Sequence, residues 1–152
     1  MPRSTRREKP TGVQKQCILI IDDNPYFAEI LRDVLAAEGY AVFLAADHQN
    51  INAMITAKRP SLIISDDNIE HSQTYAAGEA WCQSYKESGG ALPVILVTSA
   101  PLSTQGMLAL QDSSLADFVI PKTTIEGPQG MKLLLQYIKD LAPPSENIRY
   151  SV

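Results

Sequence analysis

Residues 17–42 read CILIIDDNPYFAEILRDVLAAEGYAV, and this stretch decides the fold. Cys17–Asp22 is apolar up to its acidic end, the pattern of a parallel strand buried on both faces. Phe27, Ile30, Leu31, Val34 and Leu35 then recur at the spacing of one helical face. Asn24 suits the cap of that helix, Pro25 its first turn, and Gly39 its end. A second apolar run, Tyr40–Ala45, follows at once. Strand, helix and strand in this order make a βαβ unit, which requires a parallel sheet.

The alternation continues outward. Leu62–Asp66, Val94–Thr98 and Phe118–Ile120 are three further strand-like runs. Helices are expected near Asn50–Lys58, Ala77–Glu87 and Ser103–Gln111. A last helix carries Met131, Leu134, Leu135, Ile138 and Leu141 on one stripe and ends before Pro143-Pro144. The expectation is an α/β fold: a doubly wound, five-stranded parallel sheet with right-handed crossovers and helices on both faces. Three segments are predicted: a basic, disordered arm over residues 1–15, a domain over 16–142 and a polar tail over 143–152.

The chain has 152 residues, of which 45% are hydrophobic and 20% charged, and this composition suits one soluble domain with a real core. Its net charge of -4 argues against nucleic acid as a partner of the domain. The charge is uneven, because Arg3, Arg6, Arg7, Lys9 and Lys15 face only Glu8 in the first sixteen residues. A solvated arm is the plain reading; contact with an acidic partner or a membrane surface is the alternative. No run is long enough to span a membrane. Cys17 and Cys82 form no CxxC pair and read as buried thiols in a reducing, cytoplasmic setting.

Ligands of open parallel sheets bind beyond the carboxyl ends of the strands. Asp22-Asp23 stand at the end of the first strand, Asp66 at the third, Thr98-Ser99 at the fourth, and Lys122 follows the fifth. In a five-strand sheet of order 2-1-3-4-5, the ends of strands one, three, four and five are neighbours, and these residues could meet in one pocket. Crowded carboxylates repel one another unless a cation joins them, and magnesium suits oxygen ligands with retained waters. One carboxylate could attack phosphorus, while a lysine neutralises the phosphoryl oxygens. Singly, each residue has a plainer reading: a capping turn for Asp22-Asp23, a turn residue for Asp66, a capping hydroxyl for Thr98 and a surface charge for Lys122. Their joint placement favours chemistry. No GxGxxG or phosphate-loop glycine pattern follows the first strand, which argues against a nucleotide- or flavin-using enzyme.

The stretch 17–42 resembles the opening of a response-regulator receiver domain, a flavodoxin-like fold of two-component signalling. PSLIISDDNIE (60–70) resembles its third strand, and PVILVTSA (93–100) and ADFVIPK (116–122) its fourth and fifth. The resemblance implies that Asp66 is the phosphoacceptor. It implies magnesium at Asp22, Asp23, Asp66 and the backbone carbonyl of Asn68, with Thr98 and Lys122 contacting the phosphoryl group. It further implies a sensor histidine kinase or phosphotransfer protein as donor and a downstream protein target. A second copy of the chain is a further candidate partner. Asn68 and Ala100 would tune the phosphorylation lifetime. The chain carries no helix-turn-helix output pattern, so a stand-alone switch acting through protein contacts is expected, rather than an enzyme. A receiver-fold interaction module acting independently of phosphorylation is the alternative.

Three features depart from the family. The loop Asn68–Tyr75 precedes Gly78 and is longer than usual by about four residues, and His71 lies within it. Thr123 follows Lys122 where the family has proline, so a trans bond is expected there. Val119 stands where the family places its switch aromatic, and Phe118 sits one earlier. Either the fifth strand is bulged, or the usual threonine–aromatic coupling is missing.

Overall fold

A computed structural model describes residues 14–67, 77–99 and 102–146. Five strands form one parallel sheet: β1 (Cys17–Ile21), β2 (Ala41–Ala45), β3 (Leu62–Asp66), β4 (Val94–Thr98) and β5 (Phe118–Pro121). Their spatial order is 2-1-3-4-5, as expected. Five helices connect and follow them: α1 (Pro25–Ala37), α2 (Ile51–Lys58), α3 (Ala77–Glu87), α4 (Thr104–Ser114) and α5 (Pro128–Leu141). A single helical turn, Lys122–Ile125, lies between β5 and α5.

The pleat divides the core in two. Ile18, Ile20, Leu62, Ile64, Ile95, Val97 and Ile120 face α1 and α5, where they meet Leu31, Leu35, Leu134 and Ile138. Leu19, Ile21, Ile63, Val94, Leu96 and Val119 face the other way, toward Ile51 of α2, Cys82 of α3 and Met107 of α4. Successive residues of a strand point to opposite faces, so a continuous apolar run is what a sheet covered on both sides needs. The expectation of full burial fails for one strand: every residue of β2 is only partly buried. It is an edge strand, paired on one side alone.

Local signals place α1 as expected. The Asn24 side chain accepts from the amides of Tyr26 and Phe27, Pro25 opens the helix, and Gly39 follows its end at φ +100°. Two features were not legible in the apolar pattern. One is the turn Lys122–Ile125. The other is the start of α5 at Gly127-Pro128, ahead of the stripe that begins at Met131. Cys82 is buried and Cys17 only partly so; both are free thiols. Short strands Gln14–Lys15 and Ser145–Glu146 pair antiparallel, so ordered backbone extends beyond 16 and 142 at both ends. The rest of the basic arm and of the tail lies outside the described residues.

β5 carries no bulge. Its register with β4 runs unbroken from Ile95 opposite Phe118 to Thr98 opposite Pro121. Phe118 therefore belongs to the α1–α5 face, where it stacks on Tyr137 of α5 with ring centroids 3.8 Å apart. Val119 lies on the α3–α4 face. No cis peptide bond occurs among the described residues, so the Lys122–Thr123 bond is trans.

Candidate functional site

The site lies where the ends of β1, β3 and β4 meet the turn after β5. Asp22 extends the β1–β2 ladder by one bond, its amide donating to the Ala45 carbonyl at 2.9 Å. Its Oδ1 accepts from the Asn24 amide at 2.8 Å, which fixes the carboxylate at the head of α1. Asp66 is the last residue of β3, and Thr98 the last of β4. Lys122 heads the short turn after β5.

These positions bring four charges together. One carboxylate oxygen each from Asp22, Asp23 and Asp66 lies within 4.8 Å of the others. Lys122 Nζ stands 3.0 Å from Asp22 Oδ2 and 3.5 Å from Asp66 Oδ2. It also lies 4.7 Å above the centre of the Phe27 ring. Asp22 is 5% exposed and Asp66 2%, so this is a recessed charge cluster rather than a solvated surface. Burial pushes the Asp22 carboxyl up, against the pull of the Asn24 amide and Lys122. Burial works to lower the Lys122 pKa, but the bond to Asp22 and the charges of Asp66 and Asp22 outweigh it, and the ammonium is held above its ordinary value. Three hard oxygen donors on one rim, two of them buried, fit a small divalent cation.

Thr98 and Asp67 form a second group on the other side of the pleat. Asp66 shares the face of Leu62 and Ile64, whereas Thr98 shares that of Val94 and Leu96. Asp67, one residue past Asp66, follows on the Thr98 side, its amide donating to the Val97 carbonyl at 2.8 Å. Its Oδ1 has no hydrogen-bond partner among the described residues. Burial, and then the charge of Glu79, raise the Asp67 carboxyl, while the nearby Glu79 backbone N–H and Thr98 hydroxyl lower it. The Gly78 amide donates to the Asp67 carbonyl at 3.0 Å. A Cβ on Gly78 would overlap the Asp66 carbonyl and come within 2.8 Å of Asp67 Cα, so only glycine lets α3 start this close to the site. Asn68 and Ala100 lie outside the described residues, as does the long loop with His71.

Sequence reasoning missed Asp67 and His48. The doubled aspartate was a signal for the first, since a pleat turns neighbours to opposite faces. His48 has no motif around it. Its ring stacks on Trp81, which stacks on Tyr85, with centroids 5.2 and 5.1 Å apart. The Ser65 hydroxyl donates to the Asp66 carbonyl at 3.0 Å, which commits its proton. His48 Nε2–H therefore donates to Ser65 Oγ at 2.9 Å. Burial lowers the His48 pKa from 6.5 to about 4. The unfolded chain then takes up this proton at a higher pH than the native one, so stability falls as pH drops from 6.5 toward 4. Urea titrations should show that loss in the wild type and a smaller one in His48→Phe.

A family model described as the response regulator receiver domain matches residues 18–123. The response regulator MprA of Mycolicibacterium vanbaalenii is 28% identical over 105 residues, covering 69% of this chain and 43% of that protein. The chain thus spans less than half the length of the curated relatives it matches. Among solved structures, a CheY-like response regulator receiver domain protein from Methanospirillum hungatei superposes with a TM-score of 0.65 at 22% identity, covering 84% of this chain and 94% of that one. The BeF3-activated N-terminal receiver domain of Klebsiella pneumoniae RstA gives 0.66 at 19%, covering 80% and 97%. Among the described residues, no helix is long and apolar enough to cross a membrane. With the 2-1-3-4-5 sheet and the family match over most of its length, the chain belongs to the response regulator receiver domain family.

Proposed function

We propose that the chain is a magnesium-dependent phosphoacceptor switch of two-component signalling, with Asp66 as the nucleophile. The observation that carries this reading is the convergence of the buried Asp66 carboxylate with Asp22, Asp23 and the Lys122 ammonium. An Asp66 oxygen attacks phosphorus, the bond from phosphorus to the donor's leaving group breaks, and an acyl phosphate forms. Lys122 neutralises charge on the phosphoryl oxygens, and the Thr98 hydroxyl turns to donate to one of them. Asp22, Asp23 and Asp66, with the Asn68 carbonyl, would hold magnesium, which when bound supplies further positive charge to those oxygens. The donor is a sensor histidine kinase or a phosphotransfer protein in the cytoplasm. Output runs through contacts of the receiver with a downstream protein or a second copy of the chain.

The test is intact mass after incubation with acetyl phosphate, with and without magnesium, on the wild type and on Asp66→Ala. One added phosphoryl group that needs magnesium and is absent from Asp66→Ala is the expected result. An adduct that persists in Asp66→Ala would remove Asp66 from its role. No adduct together with no magnesium binding would favour a receiver-fold module that acts independently of phosphorylation.

A further inference from the structure

We infer that His48 and Ser65 are positioning residues for Asp66: the His48 Nε2–H donates to the Ser65 hydroxyl, the hydroxyl donates to the Asp66 backbone carbonyl, and this relay holds the peptide that carries the phosphoacceptor. The inference rests on the phosphoacceptor reading above and deepens it. It names two residues outside the charge cluster that set how fast Asp66 reacts.

Asp66 is the last residue of β3, so its side chain stands where the strand ends. The peptide group that follows is nevertheless gripped at both poles. The Asp67 amide donates to the Val97 carbonyl at 2.8 Å, and the Asp66 carbonyl accepts from Ser65 Oγ at 3.0 Å. Gly78 closes on the same carbonyl, where a Cβ would overlap the oxygen. A peptide held in this way fixes ψ of Asp66. It thereby fixes the direction from which the carboxylate meets Asp22 and Lys122. A reacting group displaced by about 1 Å can lose on the order of a hundredfold in rate.

Ser65 needs His48 to supply this grip. Its side chain is fully buried and lies on the opposite face of the pleat from that of Asp66. A hydroxyl turns about its C–O bond and can aim its proton at any acceptor in reach. An N–H donor seated on its oxygen removes that freedom and polarises the hydroxyl, which strengthens the second bond. His48 provides the N–H at 2.9 Å. Packing holds the imidazole in turn. It stacks on Trp81 with the rings 20° apart, and Trp81 stacks on Tyr85 with the rings 15° apart. Tyr85 is anchored at the far end. Its hydroxyl accepts from the Leu92 amide at 3.1 Å, and a Cβ on Gly90 would overlap its ring. An ordered line therefore runs from the loop before β4, along α3, to the phosphoacceptor peptide.

The relay requires one tautomer. Burial keeps the His48 ring neutral at pH 7, and a neutral imidazole has a single N–H, which must be on Nε2. Imidazole 15N resonances at pH 7 read this directly, with the His48 signals distinguished from those of His71 by their loss in His48→Phe. A protonated Nε2 and a bare Nδ1 are the expected result. The reverse tautomer would make Ser65 the donor to His48, leave the Asp66 carbonyl without that proton, and overturn the inference. The second measurement is the rate of phosphorylation by acetyl phosphate, per folded protein and well below the melting temperature. Ser65→Ala should slow it about tenfold, the scale on which one hydrogen bond acts. His48→Phe keeps a ring against Trp81 but lacks the donor, and should slow it about threefold. His48→Gln, whose amide can place an N–H near the position of Nε2, should recover most of that loss. Rates equal to wild type in both Ser65→Ala and His48→Phe would overturn the inference. So would an equal loss in His48→Gln and His48→Phe accompanied by an equal loss of stability, since the effect would then be packing alone. A wild type that shows the expected tautomer but takes up no phosphoryl group would instead sink the phosphoacceptor reading and leave the relay standing as the support of the Asp66 peptide.

Discussion

Lys122→Met should slow phosphorylation of Asp66 by acetyl phosphate about a hundredfold or more, the usual cost of removing one preorganised positive donor from a site where anionic charge develops. The ammonium bridges Asp22 and Asp66 at 3.0 and 3.5 Å, and no other Lys or Arg among the described residues pairs with either carboxylate. Methionine matches the length of the stem and preserves contact with the Phe27 ring, so packing is largely kept. Magnesium affinity should rise rather than fall in this variant, because a positive charge has left the neighbourhood of the three carboxylates. The metal-free protein should also be less stable, since Asp22 and Asp66 lose their counter-charge, and magnesium should restore more stability than it adds to the wild type. Isothermal titration with magnesium, thermal melts and adduct formation by mass together check the prediction. A phosphorylation rate equal to wild type would exclude Lys122 from the chemistry.

Gly130→Ala should destabilise the fold by about 3 kcal/mol, a fall in Tm of roughly 10 °C. A Cβ at this position would overlap the Thr124 carbonyl and lie 2.8 Å from Thr124 Cγ2. The obstacle is backbone, so no rotamer change relieves it. Either α5 or the turn Lys122–Ile125 must move, and that turn begins with Lys122. The variant should therefore lose phosphorylation rate as well as stability. Gly127→Ala is the internal control. A Cβ there meets the same carbonyl at 3.8 Å, an ordinary contact, and the backbone is extended at φ -89°. Its cost should stay below about 1 kcal/mol. Equal melting curves for Gly130→Ala and the wild type would show that α5 does not seat where the close approach requires.

Much of the architecture was legible because it depends on short-range rules. Unbroken apolar runs marked strands covered on both sides, and the stripe Phe27–Leu35 with Asn24, Pro25 and Gly39 marked α1 and its ends. The helix at Thr104 was harder to delimit: Ser103, the expected first residue, is its cap, and it runs on to Ser114, past the expected end at Gln111. Val119 and Phe118 were ambiguous until the register of β5 was known, since a bulge and a true shift of face look alike in one dimension. The edge position of β2 likewise follows from strand order and not from its own residues, which are as apolar as those of its neighbours.

The residues of the site were readable as a set because α/β topology gathers strand ends. Asp22, Asp23, Asp66, Thr98 and Lys122 were each named by position, and the fold brings oxygens of the three aspartates within 4.8 Å of one another and sets the lysine against Asp22 and Asp66. Their sequence separations are large, but each needs only to sit at or just past the carboxyl end of its strand. What each side chain touches is a different matter. That Thr98 shares a face with Asp67, that Lys122 lies over Phe27, and that His48 reaches Ser65 depend on which face a residue takes and how far two helices can approach. Those contacts are set by pleat, register and the space left by Gly78 and Gly130. A linear pattern states the type and order of residues, whereas the partner of a buried polar group is settled only when every neighbour competing for it has been placed.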